Sequence, residues 1–321
     1  MKCSSIILIG CLIFVCLTLH GQGCSDAGFC TMGAMKPDQS FSRKINFRLR
    51  SVELSQYRGV TTLSPIVYVA NLDLSIGITE RTGIQVKVPY QWVSGNLGTA
   101  SGIGDLSLSL TQKLHSSERF DVNGTLGMKI PTNNSDLKSK GDKRPLSKGL
   151  VLPMYYQISL GSVDIVAGAS LISKKWLLAV GYQQPLTANN NTFDQEEWLP
   201  PVYPSEKYIR SYDTATKLKR GTDIMFRAER NFRFTRYNIT LGALPIIRIT
   251  RDQIVDKLTG QYKKLDKTTG MALSLLAGFG YHLNINNSLK FTYGYKLVDR
   301  EVNPDGLTRD SVLIIGYLYR F

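Results

Sequence analysis

Between Gly104 and Leu114 the chain reads Gly-Asp-Leu-Ser-Leu-Ser-Leu-Thr-Gln-Lys-Leu, with the leucines on one parity and Asp105, Ser107, Ser109, Thr111 and Lys113 on the other. Side chains of a β-strand point to opposite faces with period two, so this stretch is a strand with one greasy and one polar face. Residues 83–93 repeat the split, setting Ile84, Val86, Val88, Tyr90 and Trp92 against Gln85, Lys87 and Gln91. The last stretch has an apolar and aromatic face, Leu313, Ile315, Tyr317, Tyr319 and Phe321, and a mixed one, Asp310, Val312, Ile314, Gly316, Leu318 and Arg320. Alternation alone fits either the wall of a soluble sandwich or a barrel whose greasy face meets lipid.

Counting such segments predicts about twelve strands, an all-β, transmembrane up-and-down antiparallel barrel over residues 44–321. They fall at about 44–57, 60–78, 83–93, 104–114, 121–130, 150–172, 176–185, 221–231, 236–251, 269–283, 288–299 and 309–321. Short turns at 79–82, 115–118, 174–175, 232–235 and 284–287 alternate with long connections at 132–149, 188–220, 252–268 and 300–308. Such alternation implies that both termini share the short-turn side, which in a barrel of this type is periplasmic. Residues 150–172 are read as one long strand, with Pro153 near its end; splitting it at Gly161-Ser162 would put the two longest loops on opposite sides.

The N-terminus opens with Lys2, an apolar run from Ile6 to Leu19 and the small polar stretch His20-Gly21-Gln22-Gly23. Residues 1–23 therefore read as a secretory signal peptide, and no later stretch approaches 18 uninterrupted apolar residues. Cys3, Cys11 and Cys16 lie within that peptide, leaving Cys24 and Cys30. In an exported chain such a pair points to a small disulfide. The alternatives are a lipidated Cys24, for which Gly21-Gln22-Gly23 is a poor lipobox, and a soft copper site with Met32 and Met35. Residues 24–43 are accordingly expected to be a periplasmic tether or plug, with no metal and no cofactor. A formal charge of +14 in such a protein favours anionic partners, lipopolysaccharide and the outer-membrane lipid surface or an acidic small-molecule solute, over nucleic acid, for which no motif is present.

At Val88-Pro89-Tyr90, Gly102-Ile103-Gly104-Asp105-Leu106-Ser107-Leu108 and Met128-Lys129-Ile130-Pro131-Thr132 the chain resembles the outer-membrane transporters named for the meta-pathway of phenol degradation, distant relatives of the long-chain fatty-acid channels. The aromatic C-terminal residue likewise resembles the terminal signature of bacterial outer-membrane barrels. The resemblance covers roughly residues 77–132 and implies transport of small hydrophobic or amphipathic solutes. The cysteine-containing head and the 188–220 loop depart from it. An outer-membrane lipid hydrolase would need a nucleophile and base together at the outer leaflet. The only histidines beyond the signal peptide, His115 and His282, fall at or near short turns, and neither Gly-x-Ser-x-Gly nor HExxH occurs. The chain is read as a transporter, not an enzyme, with a closed structural or assembly barrel as the alternative.

The polar parity supplies the lumen-lining candidates: Gln85, Lys87, Gln91, Asp105, Lys113, Asp121, Lys129, Asp223, Arg227, Glu229, Lys290 and Lys296. Arg48, Arg50 and Asp310 join them, although Val52 and Leu54 break the parity begun by Ile45, Phe47 and Leu49. Basic residues outnumber acidic ones in this set, which points to an anionic solute. The competing expectation is that the set pairs internally and fills the barrel.

Overall fold

A computed structural model describes Met32, Met35 and residues 48–61, 63–307 and 309–321. The predicted signal peptide, Cys24 and Cys30, with their disulfide, lipid and metal alternatives, lie outside the described residues. The strands are β1 (Arg48–Val60), β2 (Ile66–Gly77), β3 (Thr82–Gly95), β4 (Gly98–Ile103), β5 (Leu106–Ser116), β6 (Phe120–Ile130), β7 (Asp164–Ser173), β8 (Trp176–Pro185), β9 (Asp223–Arg233), β10 (Tyr237–Arg248), β11 (Gln253–Val255), β12 (Tyr262–Lys264), β13 (Gly270–His282), β14 (Asn287–Val298) and β15 (Ser311–Arg320).

Strands β4 and β5 share the partner β3 and form one staggered wall strand, interrupted at Gly104-Asp105. Pro89 of β3 sits opposite the interruption and has no N–H to give; its carbonyl accepts from the Gly104 amide at 2.9 Å. The wall then has twelve antiparallel strands, each paired with its neighbours in sequence, and β1 meets β15 from Ser51↔Arg320 to Val60↔Ser311 to close the ring. Closure matters in lipid because it leaves no strand edge unsatisfied. The only α-helix among the described residues, α1 (Glu206–Arg210), has five residues, and among the described residues no helix is long and apolar enough to cross a membrane.

Burial follows the parity of the sequence. Leu108, Leu110, Leu126, Tyr182, Phe226, Leu241, Leu275, Ile315 and Tyr317 are exposed on the outer wall, whereas Ser107, Ser109, Thr125, Lys129, Met225 and Leu276 are buried inside. A soluble protein rarely exposes so continuous an apolar surface, which in a closed barrel is the face a membrane covers. The parity break in the first strand has a local cause: a register shift between Leu49 and Ser51 makes Arg50 an extra, bulged residue. Leu49, Val52 and Leu54 thereby share the outer face, and the Arg50 guanidinium folds inward over Gly77, where an added Cβ would lie 2.3 Å from its Nε. The first hairpin turns at 61–65, not at Arg58-Gly59.

The predicted strand over 150–172 is corrected. Only Asp164–Ser173 is strand, and Met154–Tyr156 forms a 3-10 turn within a segment that folds inward at the long-loop end. Leu152, Tyr156 and Ile158 are buried there with Leu97, Phe193, Trp198, Ile209 and Tyr212 in one apolar cluster. The Trp198 indole donates to the Val151 carbonyl at 2.9 Å, and the Tyr156 hydroxyl reaches Ser64 at 2.8 Å and the Leu97 amide at 3.1 Å. Residues of the predicted long strand thus cap the barrel, and the long connection at 188–220 packs on them.

Candidate functional site

The barrel interior divides along its axis into a vestibule at the short-turn rim, a packed middle and the capped long-loop end. Charged side chains in the middle are buried, and a buried ion is tolerable only when paired. Lys129 Nζ lies 4.0 Å from Asp105. Asp105 also accepts from Ser159 Oγ at 2.5 Å and the Leu160 amide at 3.0 Å. Arg227 pairs with Glu229 at 2.5 Å, and its Nη1 reaches the Met35 carbonyl at 3.5 Å. Met32 and Met35 are buried inside the wall against Val166, Ala179, Met225, Leu244 and Leu276.

Toward the long loops Asp223 pairs with Arg248 at 2.8 Å, and Arg248 also holds Asp252 and Asp305 at 2.8 and 2.9 Å. This bidentate guanidinium pins the 299–310 connection to the wall. Burial alone would raise the Asp305 carboxyl, but Arg248, Arg300 and Arg220 overcome it and hold the group well below the usual carboxylate range. Asp213 goes the other way: burial, joined by Asp305 and Asp252, pushes it up despite the hydrogen bond from the Asn303 amide. Lys296 bridges Asp299 and Asp310 at 2.6 and 3.0 Å.

Of the remaining predicted residues, Gln85 donates to Asp73 at 3.3 Å, Lys87 stands opposite Asp73 and Ser107 across the ladders, and Gln91 folds over Gly104. Lys113 pairs with Asp121 at 3.5 Å, both part exposed near the short-turn rim, and Lys290 with Glu53 at 3.4 Å. Three interior carboxylates were missing from the predicted set: Glu53, Asp73 and Asp164. Asp164 takes Arg220 and Gln183 as partners and accepts from Ser162 Oγ at 2.8 Å. Their presence offsets the basic excess in the middle of the barrel.

The excess survives at the short-turn rim. A cavity of about 420 Å3 opens there, lined among others by Arg233, His282, Lys290, Arg320, Ser288 and Tyr237, with no carboxylate among its described lining residues. Ser288 Oγ is shared by His282 Nδ1 at 2.9 Å and Arg320 Nη1 at 3.1 Å. Among the described residues no carboxylate lies within ion-pair distance of Arg233 or Arg320. Nearby positive groups in a low-dielectric mouth raise the local concentration of anions.

No protein-family model matches the chain, and no curated protein matches its sequence. Solved structures do. An outer membrane channel from Pseudomonas putida F1 superposes with a TM-score of 0.56 at 12% identity, covering 88% of this chain and 99% of that one. The NanC porin gives 0.47 at 8% identity, covering 85% and 100%, and the KdgM porin 0.43 at 8%, covering 84% and 99%. The first of these shares the architecture built up above, and the fold is accordingly that of a closed twelve-stranded antiparallel β-barrel of the outer-membrane channel type.

Proposed function

We propose that the protein is an outer-membrane channel for small amphipathic or hydrophobic solutes carrying negative charge, with its short turns and both termini in the periplasm. The observation that carries this reading is the cationic vestibule inside a wall whose outer face is apolar, where Arg233 and Arg320 have no carboxylate within ion-pair distance among the described residues. The fold likeness to an outer-membrane channel and the resemblance of residues 77–132 to the meta-pathway transporters support it. In this reading the predicted polar set lines the solute path, and Met32 and Met35 act as an internal plug.

Passage past Met35, Met225 and Leu244, all fully buried, requires the plug to move. That packing also favours the second reading, a closed structural barrel. Proteoliposome swelling with benzoate, a medium-chain fatty acid and a cationic amine of matched size separates the two. The account expects faster entry of the anions. Equal entry of anion and amine would refute charge preference, and no entry of any solute together with no binding in detergent would establish the closed barrel.

A further inference from the structure

A second cavity, of about 560 Å3, lies on the opposite rim and opens on the outside of the wall. It is lined by Gln184, Lys219, Arg220, Thr222, Thr250, Arg251, Gln253 and Lys264. Its height on the wall follows from register. On β8 and β9 the outward rows run Val180↔Phe226 and Tyr182↔Ile224. The next outward row is polar, Thr222 Oγ1 donating to Gln184 Oε1 at 2.6 Å, and Tyr182 Oη donates to the same Gln184 oxygen at 3.0 Å. The cavity therefore begins one row above the apolar band, where an aromatic ring ends and polar groups start, which is the level of lipid headgroups. Exposed Leu186 and Ile249 flank it.

Its charge is one-sided. Lys219 bridges to Gln253, and Gln253 in turn pairs with Lys264 across β11 and β12. Residues opposite one another in a ladder share a face, so the two lysines stand on either side of the Gln253 amide. Among the described residues neither has a carboxylate within ion-pair distance. Arg251 adds an exposed guanidinium that pairs at 2.9 Å with Asp266, itself largely exposed. Arg220, buried and bound to Asp164, has an Nε without a hydrogen-bond partner. Like charges gathered at one spot repel, and here nothing within the described protein neutralises Lys219 and Lys264.

We propose that this pocket binds a phosphate on the headgroup of an outer-leaflet glycolipid, with Lys219, Arg251 and Lys264 taking the phosphate oxygens while the acyl chains lie on Tyr182, Leu186 and Ile249. Charge complementarity selects the phosphate, and the adjoining apolar row selects a lipid over a free ion. The proposal rests on the outer-membrane reading, since only a barrel inserted with its long loops outward brings this rim to the outer leaflet.

Native mass spectrometry of the full chain in detergent, with bis-phosphorylated lipid A as the probe, tests it. The wild type should retain lipid A, and dephosphorylated lipid A should bind far more weakly. Each surface cation contributes roughly fivefold, so K219Q/R251Q/K264Q should lose about a hundredfold in affinity. A control, K140Q/K143Q/K148Q, removes three exposed lysines of the 132–149 loop and should bind as the wild type does; heat-modifiable mobility on gels verifies that both variants fold. Equal loss in both variants would overturn the site in favour of diffuse charge, and inorganic phosphate binding as tightly as lipid A would overturn it in favour of an ion site. A barrel that conducts but retains no lipid A sinks this inference alone. One that binds lipid A without conducting supports it while refuting the channel reading.

Discussion

Replacing Asp105 with alanine should release residues 150–163 from the inside of the barrel while the wall stays closed. The carboxylate sits at the interruption between β4 and β5, 4.0 Å from the buried Lys129 ammonium, and takes hydrogen bonds from Ser159 Oγ and the Leu160 amide. Truncation removes one acidic neighbour of the buried Lys129 ammonium, a loss of about 3 kcal/mol at the low end of the range for breaking a buried ion pair. Each hydrogen bond to the charged acceptor adds about 1.5–3 kcal/mol in isolation, but all act through one group and do not sum. Taking about 3 kcal/mol as the floor, local opening of the inward segment rises by about 150-fold.

Hydrogen exchange reads this directly. The amides of Tyr156, Gln157 and Leu160, bonded at 2.9, 3.1 and 3.0 Å, should lose protection, whereas the β5–β6 ladder, which Asp105 does not join, should keep it. Asp105→Asn retains an acceptor for Ser159 and should fall between wild type and D105A. Adding Lys129→Met to D105A removes the buried ammonium that has lost Asp105 and should restore part of the loss. Unchanged protection over 150–163 in D105A, or a loss spread evenly through β5 and β6, would refute the clamp.

Four further outcomes are expected. Gly168→Val places new atoms where even an added Cβ would lie 2.7 Å from Met35 Sδ and 2.9 Å from the Val180 carbonyl; it should expel Met35 and raise solute entry in swelling assays, and an unaltered rate would remove Met35 from the plug. Asp305 has a depressed folded pKa, so its contribution is complete above the unfolded carboxylate value and is lost only as pH falls through the folded one. Trp198 emission should therefore hold from neutral pH to about pH 4 in the wild type and red-shift already at neutral pH in D305N. Asp213 has a raised folded pKa, so its contribution is greatest below the unfolded value and lost as pH rises through the folded one; D213N should stabilise the cap at neutral pH, measured as a higher denaturant midpoint for the same emission. Mass spectrometry of the non-reduced mature chain should find Cys24 and Cys30 two hydrogens light, against free thiols or a retained copper ion.

The wall was legible in the sequence because a barrel imposes period two on nearly every spanning residue, and loop length separates its rims. Residues 150–163 were not, since Leu150, Val151, Leu152, Met154, Ile158 and Leu160 are as apolar as a lipid-facing strand. Two signals argued against a strand there: the adjacent Tyr155 and Tyr156 break alternation, and Pro153 lacks a donor. Glu53 escaped because the bulge at Arg50 shifts parity by one, and Asp164 because it lay inside the supposed long strand. Asp73 was readable, sharing parity with Val67, Val69 and Asn71, all buried. The Arg248 network was beyond sequence alone, joining Asp223 at the start of β9 to Asp252 and Asp305 in two separate connections. The vestibule was half visible, through Lys290, while Arg233 and Arg320 stand at strand ends where parity is weakest.

Reversal potential in a steep KCl gradient across a planar bilayer tests the channel account most directly, comparing wild type with Arg233→Gln/Arg320→Gln. The wild type should prefer chloride, and the double variant, with the Lys290–Glu53 pair at 3.4 Å intact, should lose most of that preference without losing conductance. Cation selectivity in the wild type, or a preference that survives both substitutions, would contradict it.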